Sequence, residues 1–140
     1  MNNVLEDRCA GMVTGAYIAD ALAMPAHWYY DRGALQRDYG IIRSYLAPKR
    51  LHPDSIMWRS SYTPLNERGD ILREQAQYWG QPGMHYHPFL RPGENTLNLQ
   101  LVRVLDESLT AKGCYVLDVY LERYIDFMLT AGLLRYTYAE

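Results

Sequence analysis

The feature that most constrains this chain is a ladder of small residues inside an apolar helical run. From Asn3 to Met24, the residues Leu5, Cys9, Met12, Ala16, Ala19 and Ala23 recur at helical spacing. Gly11, Gly15, Ala19 and Ala23 are spaced by four and form one smooth ridge. A glycine inside a helix costs roughly 1 kcal/mol relative to alanine. Close approach of a second helix offsets that cost, so the ridge predicts a buried central helix. Pro25 marks the helix end. The run also carries Asp20. A carboxylate among apolar residues needs a metal, a cation, a hydrogen-bonded partner or an exposed place at the helix end.

Two more helices are predicted in the C-terminal half. From Asn95, the leucines 97, 101, 105 and 109 fall at intervals of four, flanked by Val102 and Val104, and Lys112-Gly113 gives a stop. A further helix is expected from about Tyr115 to Thr130. Leu117, Tyr120, Leu121, Tyr124, Met128 and Leu129 make its apolar face, with Asp118 and Glu122 on the wet side.

Between the first helix and these two, Ala26 to Gly93 holds six of the seven prolines, all four histidines and all three tryptophans. A short helix from Asp31 to Tyr39 ended by Gly40, a short strand at Ile41–Tyr45 and a helical turn or two at Asp70–Tyr78 are expected there. The rest reads as irregular, which suits either a binding loop or a surface elaboration. The chain is thus expected to be one all-α domain over residues 1–140 with a long irregular segment.

Composition narrows the function classes. A net charge of −2 and a pI near 6.1 supply no basic excess for a nucleic-acid backbone. The N-terminus has no basic stretch leading into an apolar run, so no signal peptide is expected. The apolar stretch Cys9 to Met24 is shorter than the roughly 20 residues that span a bilayer, so no membrane span is expected. Cys9 and Cys114 make no disulfide framework and read as small buried hydrophobes. The expected location is a reducing, cytoplasmic compartment. The 13 tyrosines against 2 phenylalanines can line a half-wet pocket or cover a core. There is no Gly-x-Gly-x-x-Gly, phosphate loop or Gly-x-Ser-x-Gly elbow, which argues against the enzymes built on them.

Two clusters could carry chemistry. Gly93-Glu94-Asn95-Thr96 precedes a strong helix. Its carboxylate, carboxamide and hydroxyl suit a hard cation, and the helix N-terminus suits a phosphate. On spacing alone the simpler reading is a cap, with Asn95 at the N-cap and Glu94 favourable to the helix dipole. His85-Tyr86-His87 can set two imidazoles on one side of an extended segment, but zinc needs at least a third protein ligand and neither cysteine is spaced to supply it, so the pair reads as structural on its own.

The run from Gly11 to Pro25, Gly-Met-Val-Thr-Gly-Ala-Tyr-Ile-Ala-Asp-Ala-Leu-Ala-Met-Pro, resembles the opening helix of the ADP-ribosylglycohydrolase family. That helix reads roughly G-x-x-x-G-x-x-x-G-D-A-L-G-x-P, with Asp20 and Pro25 at its Asp and Pro. Gly93-Glu94-Asn95-Thr96-Leu97 falls where the family carries a Thr-Asp-Asp-Thr metal motif. The resemblance covers the N-terminal portion of a longer family domain, whose further metal aspartates lie near its C-terminus. It implies a helical bundle around a binuclear Mg²⁺ or Mn²⁺ site that cleaves the glycosidic bond of ADP-ribosylated substrates.

By resemblance, Asp20 and Glu94 would be catalytic, and Glu94, Asn95 and Thr96 would be metal ligands. At Gly93 a hydroxyl is lost, at Glu94 the carboxylate sits on a longer arm, and at Asn95 an anion becomes a neutral amide. The lost charge lowers affinity for a divalent cation, so weak or absent turnover is expected. A second reading is a non-catalytic module in which His85, Tyr86 and His87, with Trp28-Tyr29-Tyr30, bind ADP-ribose by stacking and hydrogen bonds. A third is a partial domain that leaves the ridge of its first helix uncovered and self-associates.

Overall fold

A computed structural model of the chain describes residues 2–49, 63–67 and 71–130. Among these residues the fold is carried by four α-helices: α1 (Asn2–Ala23), α2 (Arg32–Asp38), α3 (Leu97–Lys112) and α4 (Leu117–Leu129). No strand occurs among the described residues, so the architecture is all-α. Asp70 and Tyr138–Glu140 lie outside the described residues.

Helices α3 and α4 form the hairpin on which the rest is built. Gly113 ends α3 in the left-handed region at φ +71°, and its N–H donates to the Leu109 carbonyl at 2.7 Å. Leu97, Val104 and Ser108 are the buried residues of α3, with Leu101 half-buried between them. From α4, Phe127 and Met128 enter the core, and Tyr120 and Tyr124 pack against it. Leu117 and Leu121, expected on the inner face, are 53% and 41% exposed. The face toward α3 is rotated away from them, and the tyrosines bury ring area while their hydroxyls stay near water.

Helix α1 differs most from expectation. Among the described residues no second helix covers the Gly11–Ala23 ridge. A Cβ added at Gly11 or Gly15 would meet nothing within 4 Å, and Val4, Leu5, Met12, Val13 and Ile18 are exposed. Among the described residues, α1 docks by its C-terminal end. Ala21 is buried there, and Met24 and Pro25 follow in a 3₁₀ turn, Met24–Ala26. Met24 joins Leu90, Leu97, Val104, Phe127 and Met128 in the core. Cys9 is consequently exposed rather than buried, and Cys114 is exposed in the turn after α3. By length and composition alone, Asn3–Ala26 also qualifies as a helix long and apolar enough to cross a membrane.

Helix α2 follows its local signals. Asp31 caps it by accepting from the Gly33 N–H at 2.7 Å, and Gly40 follows at φ +60°. The expected strand Ile41–Tyr45 is irregular instead. No neighbouring strand is available to pair with it among the described residues. The coil is held back on α2 by side chains: Lys49 Nζ meets Asp38 Oδ1 at 3.1 Å, and the Lys49 N–H donates to the Tyr39 hydroxyl at 2.7 Å. The helical turns expected at Asp70–Tyr78 are a 3₁₀ segment, Arg73–Tyr78.

Candidate functional site

The site forms where the end of α1 meets the start of α3. Asp20 lies in the last turns of α1 and reaches across 76 residues of sequence to Thr96. Its Oδ2 accepts from the Thr96 N–H at 2.7 Å and from Asn95 Nδ2 at 2.9 Å. Its Oδ1 accepts from the Thr96 hydroxyl at 2.7 Å. The second amide proton of Asn95 goes to the Tyr17 carbonyl at 2.7 Å. The N-cap is therefore Thr96, one residue beyond the expected Asn95, and its side chain does not cap its own helix. The cap comes from Asp20 on α1, an anion at the positive end of α3.

Glu94 is turned elsewhere. Its Oε2 accepts from the Arg91 N–H at 2.8 Å, and its own N–H donates to the Arg91 carbonyl at 3.0 Å. This closed turn needs Gly93 at φ +86°, where an added Cβ would stand 3.4 Å from the Tyr45 ring. Backbone geometry thus accounts for the missing hydroxyl at that position.

These contacts bear on the fit of a divalent cation. Asp20 already accepts three hydrogen bonds, Asn95 presents its NH₂ rather than its carbonyl to Asp20, and Glu94 closes its own turn. No group of three or more His, Cys, Asp or Glu able to hold a metal occurs among the described residues. As placed among the described residues, these donors do not by themselves make up the several oxygen ligands that a binuclear Mg²⁺ or Mn²⁺ centre takes.

Beside Asp20 opens a cleft of about 350 Å³, lined by Asp20, Met24, His27, Trp28, Thr96 and Asn98, with Ala23 and Ala26. Trp28 sits at φ +66°, a conformation uncommon for a bulky residue and costing on the order of 1–3 kcal/mol. Stacking holds it there: its ring lies 4.6 Å from Tyr86 at 19°. His85, Tyr86 and His87 are all buried beneath the cleft, and none of them lines it. They support the two rings that do. Tyr86 backs Trp28, and His87 stacks on His27 at 4.8 Å.

Burial holds the imidazole of His27 below its ordinary value, against an opposing pull from Asp20. Burial pushes His87 further, down to about 3, with His27 and then His85 adding to the effect. Burial thus disfavours the charged form of both rings, and His87 is neutral at pH 7. His27 was not singled out in the sequence. The available signal was its place directly after the Pro25 stop, where the chain leaves α1 beside Asp20. No protein-family model, curated protein or solved structure matches the chain.

Proposed function

We propose that this chain is an ADP-ribosylglycohydrolase-like domain whose cleft binds ADP-ribose or the ADP-ribosyl group of a modified substrate, and that on its own it holds this ligand without cleaving it. One observation carries the reading. The two segments that bear the resemblance, Asp20 and Asn95-Thr96, meet through hydrogen bonds of 2.7–2.9 Å at a cleft walled by His27 and Trp28. Its volume of about 350 Å³ is at the lower end of small-molecule sites. It suits part of an ADP-ribose, with Trp28 as a stacking surface and Asp20 and Asn98 as hydrogen-bonding groups.

Binding without turnover follows from the carboxylates. Glycosidic hydrolysis needs one acid to protonate the leaving oxygen and one base to activate water, or a metal that supplies the hydroxide. Asp20 is engaged by three donors, and Glu94 is held by the Arg91 N–H. The exposed thiols of Cys9 and Cys114 suit a reducing, cytoplasmic setting.

Thermal unfolding with ADP-ribose, with and without Mg²⁺, tests the reading. ADP-ribose at 100 times its Kd adds roughly 2.7 kcal/mol. The expected result is a higher midpoint with ADP-ribose alone and no further gain from Mg²⁺. A gain that requires both would favour the metal-dependent hydrolase, and no gain under either condition would sink the proposal.

A further inference from the structure

Behind the cleft, three histidines form a chain whose hydrogen bonds decide where each proton sits. The Pro25 carbonyl can only accept, so His85 Nε2, 3.0 Å away, carries a proton. The His87 N–H donates to His85 Nδ1 at 2.9 Å, so that nitrogen is bare. His85, fully buried, is fixed from both sides as the neutral Nε2–H tautomer.

His87 comes next and, being neutral, has one ring proton. Its Nε2 is in hydrogen-bond contact with His27 Nδ1, and its Nδ1 is sealed from solvent without a partner. An orphaned buried N–H is rarer than an orphaned acceptor. The proton therefore sits on Nε2 and is donated to His27 Nδ1. That leaves His27 with its proton on Nε2, the ring nitrogen that is not engaged by His87. This nitrogen is not among the sealed polar atoms, and His27 lines the cleft together with Asp20.

We propose that His27 is a ligand-binding residue that offers an Nε2–H donor to the cleft, with His87 and His85 as the positioning residues that fix its tautomer. The proposal rests on the ADP-ribose reading and specifies which part of the ligand enters here. A donor beside the Asp20 acceptor fits hydroxyl groups, which both give and receive hydrogen bonds. Among the described residues no lysine or arginine lines the cleft, and a phosphate there would face Asp20 with like charge. The chemical class is a ribosyl ring with vicinal hydroxyls, and the diphosphate lies outside this part of the cleft.

Nitrogen-15 NMR of the full chain at pH 7 reads the tautomers directly. The expected result is a single Nε2–H form at both His27 and His87. His87→Phe is expected to release His27 to a mixture of tautomers, while His87→Gln, whose amide N–H can donate to Nδ1, restores the single form. In calorimetric titration with ADP-ribose, His27→Phe is expected to weaken binding about tenfold, the effect of one hydrogen bond, while His27→Gln stays within about threefold of wild type. Melting curves of both variants establish that each is folded. A wild-type His27 with its proton on Nδ1 would overturn the proposal. So would unchanged ADP-ribose affinity in a folded His27→Phe variant when wild type binds. If wild type itself fails to bind ADP-ribose, the functional reading falls and the ligand role of His27 with it, while the NMR result still decides the tautomer chain.

Discussion

Replacing Asp20 measures how far one carboxylate holds the two halves of the fold together. Asp20→Ala strands three donors at once: the Thr96 N–H, the Thr96 hydroxyl and Asn95 Nδ2. Thr96 is 4% exposed, so its two donors are poorly reached by water, while Asn95 is half-buried and finds solvent more easily. A buried donor left unpaired costs about 1–3 kcal/mol. Discounting for water entering from the cleft, the total is about 3 kcal/mol. Asp20→Asn behaves differently. Its amide oxygen can take the place of Oδ2 and keep both donors there. Its NH₂ then takes the place of Oδ1 and donates to the Thr96 hydroxyl, which turns its own proton away. All three hydrogen bonds survive, and only charge assistance and the favourable anion at the α3 N-terminus are lost, about 1 kcal/mol together. In a chain of this size 1 kcal/mol moves the melting midpoint by about 4 °C. Circular dichroism melts are therefore expected to fall by about 12 °C for Asp20→Ala and about 4 °C for Asp20→Asn. Equal losses in the two variants, or an alanine variant within 4 °C of wild type, would refute the view that Asp20 serves as the cap of α3.

Other substitutions test the remaining parts. Asn95→Asp replaces the Asp20–amide hydrogen bond with two facing carboxylates, so its melting midpoint at pH 7 is expected to drop and to recover with added Mg²⁺, whereas the wild-type midpoint ignores Mg²⁺. Because His87 is held near 3 when folded and is near 6.5 when unfolded, its stability contribution is complete above pH 6.5 and is lost as pH falls toward 3. Between pH 6.5 and 5 chemical denaturation should show a loss of about 2 kcal/mol from this group, and His87→Phe should flatten that slope. Gly113→Ala forces a Cβ into the left-handed region at φ +71° and should cost about 1 kcal/mol in urea titrations although nothing crowds the position. Gly11→Ala with Gly15→Ala should instead raise stability, by up to about 2 kcal/mol together, because both sit in an open helix; a fall in midpoint accompanied by loss of a sedimenting dimer would show that the ridge is packed against a second copy.

Local signals were legible where local forces decide. Asp31 and Gly40 bracket α2, and Gly113 stops α3, because caps and left-handed glycines act within a few residues. The apolar periods of α3 and α4 also announced helices. Which side of α4 faces inward was not legible, because Leu121 and Tyr120 are adjacent on the helix and only contact with α3 separates them. The N-cap shifted from Asn95 to Thr96 for a similar reason: both residues are good caps, and the choice is made by Asp20 from another helix. The strand expected at Ile41–Tyr45 had the right residues but no partner strand among the described residues, and a strand is stabilised by its pairing.

The candidate site shows the same division. Asp20, Asn95 and Thr96 could be chosen in advance as polar groups at helix ends, and the structure brings them within hydrogen-bond distance. Glu94 was equally plausible by type, but the Arg91–Glu94 turn claims it, a local contact concealed by its place in a longer motif. The histidine pair at 85 and 87 read as ligand-facing because it was seen without His27. Once His27 enters from the end of α1, the pair becomes its support: His85 anchors to Pro25, His87 bridges the two, and only His27 reaches the cleft. Pro25 thus acts twice. Its ring stops α1 beside Asp20, and its carbonyl, freed from helical pairing, sets the first proton of the histidine chain.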